Sequence, residues 1–401
     1  MTAVDPHRHA PDRRTGIRAV ARRELGRIYR QSRYAMLMLV LPLISFALSW
    51  GLFFNQYPRD LPVAVVDLDH SSLSHQMSRL IDSTAIMKVA YQPTNPAAAK
   101  DMLLRGQAYA VVIVPHGLER DIKRGLGGEV IGYYNAQMLL PGSIISASLG
   151  ATVATVSAGV NYQSRRRQGE MAEAARAHLE PVNLDRHVLF NPQLNYLYFL
   201  AAALCPTFLQ IFVIMTIVLA IGEELKNGTA RQWLDTAGGS IWRAMAGKLA
   251  IYFVTFGLIG LVMLAVILKG FGVPLRGSLV SLASATILLV LAGQACGLIL
   301  LVLNPSLRMA LSAASFYAGT AFAFVGLTFP QTGMPALAKA WSNLLPLTHY
   351  LNVFLEQTFR GADLADSIPD MLLLCGFVLL GLFLTPLLKR YLTDSRYWGR
   401  P

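Results

Sequence analysis

Six stretches of this chain contain no Asp, Glu, Lys, Arg or His and are almost wholly apolar: 35–54, 196–221, 249–268, 278–303, 309–329 and 371–388. A bilayer hydrocarbon core about 30 Å thick needs roughly 20 such residues as helix. One charge at the centre of a span costs about 2.5–3.5 kcal/mol on an insertion scale. The pattern predicts an α-helical membrane protein with six transmembrane helices, one at 35–54 and five within 196–388. Water-soluble enzymes do not fit it.

Residues 57–190 interrupt this pattern with shorter periods. PVAVVD (62–67) reads as a strand, 71–82 as a helix capped by Ser71 or Ser72, and 86–91 as a second strand. Asn95 and Pro96 open a helix over 95–105. AYAVVIV (108–114) is the clearest strand, followed by a short helix over 116–124 and a strand near 129–134. Strands alternating with helices predict a small α/β domain, and about 130 residues can bury a core of their own. Residues 139–160 stay ambiguous, being uncharged and long enough to span yet rich in Ser, Thr, Gly and Ala. A span there would change the parity and put 161–195, with Arg165, Arg166 and Arg167, inside. A long helix packed on the outer domain keeps the six-span scheme.

Charge orients the chain. An even number of spans puts both ends on one side, and the segments on that side (1–34, 222–248, 304–308 and 389–401) hold 18 Lys and Arg against 7 Asp and Glu. The outer segments hold 17 against 16. Short basic loops stay cytoplasmic. Both termini are therefore expected on the cytoplasmic side of the membrane, with 57–190 as an extracytoplasmic α/β domain between the first and second spans. Lys269 and Arg276, flanking a short outer loop, run against the trend. The net charge of +12 thus reports topology and attraction to anionic membrane lipids. No nucleic acid partner is expected. The first apolar run lies too far behind a long basic segment for a cleavable signal peptide and is expected to be an uncleaved anchor. Cys205, Cys296 and Cys375 all fall in apolar runs, so no disulfide framework is expected in the outer domain.

The flanking segments carry their own patterns. Residues 1–15 are polar and predict a disordered N-terminus. Over 16–33, Ile17, Val20, Ala21, Leu25 and Ile28 share one helical face, with Arg18, Arg22, Arg23, Arg27 and Arg30 around the rest. That predicts an amphipathic interfacial helix on the inner membrane surface, its arginines toward headgroups. The inner loop 222–248 places Glu223 and Glu224 at a span's end, then a Gly228-Thr229 turn, a short helix and a Gly-rich turn. It reads as a structured docking element whose acids contact a partner or receive a basic helix such as 16–33. Residues 330–369 interleave Trp341, Leu344, Leu351 and Phe354 with Lys339, His349, Glu356 and Arg360. They predict an outer re-entrant segment of short helices, and backbone at that depth needs protein or water around it. Residues 389–401 form a cytoplasmic tail.

Few residues offer chemistry. Asp67, Asp69 and His70 could hold a cation, but short polar side chains at a strand exit more often bond the local backbone. His349 reads as a gate, a proton relay or, more often, a polar anchor. Gln210 and Gln294 lie inside spans, where they line a pathway or pair helices. The chain has no HExxH, no GxSxG and no Gly-x4-Gly-Lys-Ser/Thr; Gly247-Lys248 lacks the upstream glycine and the following hydroxyl. Proton-coupled secondary transport is disfavoured by the lack of charge within the spans.

Several short motifs occur in a telling order. They are VVDLDHSSLS (65–74), IVPHGLERDI (113–122), FNPQLN (190–195), EELKNGTARQWLDT (223–236), FPQTGMPALAKAW (329–341) and LLPLTHY (344–350). Together with the topology they resemble the membrane subunits of ATP-binding-cassette exporters of the second permease type, especially members with a large extracytoplasmic domain. Two positions depart from that pattern: Leu225 stands where a basic residue is common, and Cys205-Pro206-Thr207 where Pro-Gly is frequent.

The resemblance implies a non-catalytic permease subunit that forms the path for a small hydrophobic or amphipathic molecule, a drug-like compound or lipid, leaving the cytoplasm or inner membrane. It implies no cofactor on this chain, with ATP bound by a separate ATPase subunit. The ATPase-coupling loop would comprise Glu223, Glu224, Gly228, Thr229 and Gln232, acting with Arg22, Arg23, Glu24 and Arg27 of the interfacial helix. Other implied partners are a second permease subunit, identical or paralogous, and a periplasmic adaptor. Read without the resemblance, the same residues also suit a membrane-anchored receptor or envelope scaffold whose outer domain binds a ligand or partner.

Overall fold

The computed structural model describes residues 15–53, 59–124, 126–137, 139–169, 171–172, 195 and 197–399. The polar N-terminus up to residue 14, the stretch 173–190 and most of FNPQLN lie outside the described residues. From the N-terminus, α1 (Ile17–Arg30), α2 (Ser32–Ala35), a π turn (Met36–Val40) and α3 (Leu41–Phe53) precede β1 (Leu61–Asp67), α4 (Ser72–Asp82) and β2 (Met87–Tyr91). Then come α5 (Pro96–Leu104), β3 (Ala110–Val114), α6 (Leu118–Lys123), β4 (Ile131–Tyr134) and α7 (Leu139–Arg167). The rest is helical: α8 (Ala202–Lys226), α9 (Ala230–Thr236), α10 (Ile241–Ala265), α11 (Leu279–Leu303), α12 (Leu307–Phe324), α13 (Ala336–Asn343), α14 (Pro346–Leu355) and α15 (Leu364–Thr393). The chain divides into two units, Asn55–Leu194 and Met1–Phe54 with Asn195–Pro401.

The smaller unit is a four-stranded sheet in the order β2-β1-β3-β4, with β1 parallel to both neighbours and β4 antiparallel to β3. β1 and β3 are buried on both faces, as parallel strands between helical layers must be. On one face Val63, Val65 and Val112 meet Leu73, Met77 and Ile81 of α4, together with Ile145, Leu149 and Val156 of α7. On the other, Ala64, Val66 and Val111 meet Ala99 of α5. Local chemistry starts the helices where the sequence says it should. Ser71 caps α4 through a reciprocal box with Ser74, and the Asn95 side chain accepts from Ala97 N–H ahead of Pro96.

The acidic strand exit is a turn. Asp67 Oδ1 accepts from the N–H groups of Asp69 and His70, and Asp69 accepts from those of Gly117 (2.7 Å) and Glu119 (3.1 Å). Burial pushes the Asp69 carboxyl up, but the Ser71 side chain and these N–H groups outweigh it and hold it below its ordinary value.

Six described helices are long and apolar enough to cross a membrane: Ser32–Leu52, Pro141–Arg167, Ala203–Lys226, Ile241–Gly270, Leu279–Leu303 and Leu364–Thr393. The number matches the hydropathy pattern, but length and composition alone pick out a partly different set. Residues 139–160 qualify because they fold within one apolar helix of 29 residues, yet Ile145, Leu149 and Val156 pack in the core of the α/β unit, as expected of a long helix on the outer domain. The run at 309–329 folds as α12, whose 18 residues are long enough to span but whose Arg308, serines, Tyr317, Gly319 and Thr320 make it less apolar than the other six helices.

In the larger unit small residues set the close helix crossings, as they do where lipid removes the hydrophobic drive. A Cβ on Gly297 of α11 would stand 3.0 Å from Ile214 O of α8, and one on Gly381 of α15 would stand 2.7 Å from Ala295 Cβ. Ala310, Ala314, Ala318 and Ala321 form the buried stripe of α12. The α13–α14 hairpin reaches the middle of this bundle. Tyr317 of α12 donates to Leu344 O at its tip (2.6 Å) and lies 3.4 Å from Cys296 Sγ of α11. Beyond α14, Gln357 ties Glu356–Arg360 to the start of α11 by accepting from Gly277 and Ser278 N–H. Cys205, Cys296 and Cys375 are unpaired thiols.

The Asp69 turn gives a prediction. Asp69→Ala leaves two backbone donors without acceptors, a loss of about 1–3 kcal/mol, read as faster hydrogen exchange at residues 117–119 of the full-length protein. A carboxyl held below its ordinary value stabilises the fold above that value. Wild-type protection should therefore be flat above about pH 5 and fall as the pH drops below about 4. Equal exchange in both proteins would show that the turn is held by something else.

Candidate functional site

Three helices meet around one ionic cluster in the larger unit. α8 carries Glu223-Glu224 in its last turn, α10 carries Lys248 in its second turn, and α1 packs on α10 and reaches α8 through Arg23 and Arg27. The chain folds back here through a Schellman cap. Gly228, at φ 65°, sends its N–H to Leu225 O while Thr229 N–H reaches Glu224 O. Gly16 N–H bonds Thr236 O at the end of α9 and Gly399 N–H bonds Leu225 O in the last turn of α8, so segments near both described ends of the chain are fastened to this helix pair. α1 approaches α10 closely because residue 247 is glycine: a Cβ there would stand 2.7 Å from both Ile17 O and Val20 Cβ.

The charges interlock. Glu224, fully buried, accepts from Arg23 in a bidentate pair (2.7 and 2.8 Å), from Arg27 (2.8 Å), from Lys248 (2.9 Å) and from Thr229 Oγ1. Glu223 accepts from Arg27, Arg33 (2.8 Å) and Tyr34 (2.8 Å). Lys248, also fully buried, spends its three N–H donors on Glu24 (2.7 Å), Glu224 and Ala220 O (3.2 Å), and its Nζ stands 4.7 Å from the centre of the Trp233 ring. The second Glu24 oxygen accepts from Tyr252 at 2.6 Å. Burial pulls the Arg27 guanidinium toward neutrality, but Tyr34 and the glutamates raise it above its ordinary value, so it stays charged.

This arrangement corrects the expected orientation of α1. Arg23 and Arg27 turn to buried glutamates, not to headgroups, because carboxylates taken out of water need cationic partners. The exposed side is mixed, with Ile17, Leu25 and Tyr29 beside Arg18, Arg22 and Arg30, while Val20 is buried and Ile28 packs on the core. Arg22 stays at the surface and lines a cavity of about 490 Å³ with Arg23, Arg27, Arg30, Asn227 and Thr229. On α9, Ala230, Trp233 and Leu234 are buried while Arg231, Gln232 and Asp235 face outward.

The structure thus brings together Arg23, Glu24, Arg27, Glu223, Glu224 and Thr229, with Gly228 shaping the turn. It leaves Gln232 outside the cluster. Arg33, Tyr34, Lys248 and Tyr252 complete it and went unread in the sequence. Lys248 and Tyr252 sit four residues apart, one helical turn, at the start of an apolar run, and that was the available signal. Gln210 does not line the cavity that Gln294 lines. Gln294 lines an apolar cavity of about 320 Å³ between α10, α11 and α15, alongside Trp242, Phe253 and Leu382. Gln210 is buried in α8 with neither amide atom hydrogen-bonded.

A family model described as ABC-2 family transporter protein matches residues 33–386. The match takes in the acid pair, Lys248 and Tyr252 and starts after α1. No curated protein matches the chain.

Lys248→Met should strand Glu24 with only Tyr252 as donor and weaken α1 docking by about 3–5 kcal/mol. Protease cleavage within residues 17–31 of the membrane-inserted protein reads this out. Adding Glu24→Gln should restore much of the protection, because the buried carboxylate is then gone. If Lys248→Met alone is cut no faster than wild type, the ionic contact is not what holds α1.

Proposed function

The chain belongs to the ABC-2 transporter family and is a multi-pass membrane permease subunit working with an ABC ATPase, and from that premise we propose that it exports small apolar or amphipathic molecules. The observation that carries this reading is the cluster joining α1, α8 and α10 beside the exposed face of α9. In this reading Arg231, Gln232 and Asp235 meet the ATPase in the cytoplasm. A push on α9 passes through Trp233, stacked on Lys248, into Glu224 and from there to α8, α10 and α1 at once. The cluster is too tightly cross-bonded for one helix to move alone, which suits it to transmit a displacement.

This chain handles no ATP itself in this reading; the partner binds it. Two permease subunits, identical or paralogous, form the path in the cytoplasmic membrane with both ends of this chain inside. The choice of cargo rests on the lining of the cavity at Gln294, which is apolar apart from that amide, Thr385 and the indole edge of Trp242. The α/β unit then faces the outside, where it is placed to meet a periplasmic adaptor.

Docking and transmission separate by mutation. Purification of the full-length tagged chain from its native membrane should recover an ATPase with it. Gln232→Arg with Asp235→Arg should lose that ATPase while leaving insertion intact. Glu224→Gln, which keeps the shape and removes the buried charge, should retain the ATPase but lower permease-stimulated hydrolysis about tenfold or more, as expected when a buried charged network is broken. A chain that never brings down an ATPase in mild detergent would sink the export reading. Unaltered hydrolysis in Glu224→Gln would sink the role given to the cluster.

A further inference from the structure

His349 and Asp370 form a second buried ionic group, separate from the cluster at Glu224. His349 lies in α14, beside the tip of the re-entrant hairpin, and Asp370 lies in α15. Their side chains are 5% and 17% exposed, with Nδ1 and Oδ1 2.7 Å apart. The other ring nitrogen, Nε2, stands 3.0 Å from the carbonyl oxygen of Asn343, at the end of α13. Asn352 Nδ2 donates to the same Asp370 oxygen at 3.3 Å, and the Phe377 ring lies against the imidazole with centroids 6.2 Å apart.

Both nitrogens of this imidazole therefore face acceptors. A carbonyl oxygen can only accept, so Nε2 carries a hydrogen. The contact at Nδ1 then needs a second hydrogen, on the nitrogen or on the carboxyl, because a nitrogen lone pair would repel a carboxylate oxygen at that distance. A neutral imidazole beside an ionised carboxylate has one hydrogen too few for this geometry. The couple is either imidazolium with carboxylate or imidazole with carboxylic acid. In both forms it holds two protons and has no net charge.

The surroundings offer no substitute for that second proton. Among the described residues no Lys or Arg pairs with Asp370. On its own helix Asp366 lies one turn earlier and adds negative charge. On the continuation of α14, Glu356 bonds Ser367 (2.6 Å) and is followed by Arg360. Burial first, then Asp370 and Asp366, push the Glu356 carboxyl above its ordinary value, with Ser367 and Arg360 opposing. On α13 the one charge is Lys339, which is exposed. The other helices packed on α14 are α8, α11 and α12, and their only charges are Glu223, Glu224, Lys226 and Arg308, all at the ends that meet the α1 cluster.

The geometry points to a buried proton-binding site: His349 and Asp370 share one exchangeable proton that fastens the α13–α14 hairpin to α15, and its release unfastens the hairpin. Without that proton, either the Nδ1–Oδ1 contact or the Nε2–Asn343 contact must be given up, and a largely buried carboxylate remains with Asn352 as its one remaining donor among the described residues. Because Tyr317 holds the hairpin tip at the middle of α11 and α12, a loosened hairpin opens the centre of the bundle. Rising pH therefore loosens this segment and falling pH fastens it.

Hydrogen exchange over residues 344–355 tests this, using the full-length chain in nanodiscs, scaled to unstructured-peptide rates, followed from acid to alkaline pH. Wild type should lose about tenfold or more of its protection at the alkaline end, as loss of a charge-assisted hydrogen bond implies. Asp370→Asn is the decisive variant. Its carboxamide N–H donates to the bare Nδ1 while Nε2–H stays on Asn343 O, so the hairpin should remain protected with no pH dependence. His349→Gln should exchange fast throughout, and its missing signals identify the His349 nitrogens in 15N spectra, where Nε2 should bear hydrogen at the acid end. Wild-type protection that does not change with pH would overturn the proposal. So would Asp370→Asn behaving like wild type or loosening at every pH. If His349→Gln fails to insert, the comparison of wild type with Asp370→Asn decides the matter alone.

Discussion

A buried charge with a missing partner is the constraint on which the larger unit is organised. Lys248 and Glu224 are fully buried, and neither could be left unpaired without a loss of several kcal/mol. Each is bonded to more than one element, so the requirement propagates. Lys248 fixes Glu24 and hence α1; Glu224 fixes Arg23, Arg27 and Thr229, and hence α1 again and the α8–α9 turn. A shift of α1 by one turn would break these pairs together, which rules out gradual sliding. Gly247 adds the steric half of the same constraint, since α1 can come near enough for these bonds only where α10 presents no side chain.

How much of this was readable from the sequence depended on whether the cause was local. Membrane spans are fixed by length and polarity within one segment, and five of the six runs fold as helices both long and apolar enough to cross a membrane. The exceptions teach more. Composition does not separate a helix that crosses lipid from one that lies on a sheet. α7 has the length and hydropathy of a span, yet Ile145, Leu149 and Val156 sit in the core of the α/β unit. In the same unit the caps at Ser71 and Asn95 were legible because a cap bonds within three residues. Lys248 was not legible. A lysine at the edge of an apolar run looks like an ordinary positive flank, and its partner Glu24 is 224 positions away. The α1 face was misjudged for a related reason. A helical wheel separates two faces but does not say which faces protein, and here Arg23, Glu24 and Arg27 turned inward beside Val20 because charged partners waited there, while Arg18, Arg22 and Arg30 stayed outside.

The α13–α14 hairpin shows the polar side of the same rule. A chain that turns back inside a bundle exposes carbonyl and N–H groups that must be bonded locally. Tyr317 supplies the donor for Leu344 O, and Gln357 supplies the acceptors for Gly277 and Ser278 N–H. Neither residue is charged, and nothing in the sequence alone connects them to those atoms. Gln210 is the contrary case: a buried amide with neither atom bonded, for which the fold gives no reason.

The two ionic groups of this unit are built for opposite behaviour. Glu224 accepts five hydrogen bonds from four residues, so losing any one donor leaves the carboxylate compensated. Redundancy of that kind makes a rigid joint, and Arg27, held charged above its ordinary range, does not titrate out of it. His349 has no such reserve. Each of its nitrogens has one acceptor, and one proton decides whether both contacts survive. Rigidity therefore belongs to the end where α1, α8 and α10 meet, and adjustability to the hairpin that enters the bundle. A joint that passes a displacement to several helices at once requires that at least one packed element be free to yield. The hairpin, fastened to α15 through a single exchangeable proton, is the element of this unit with that property.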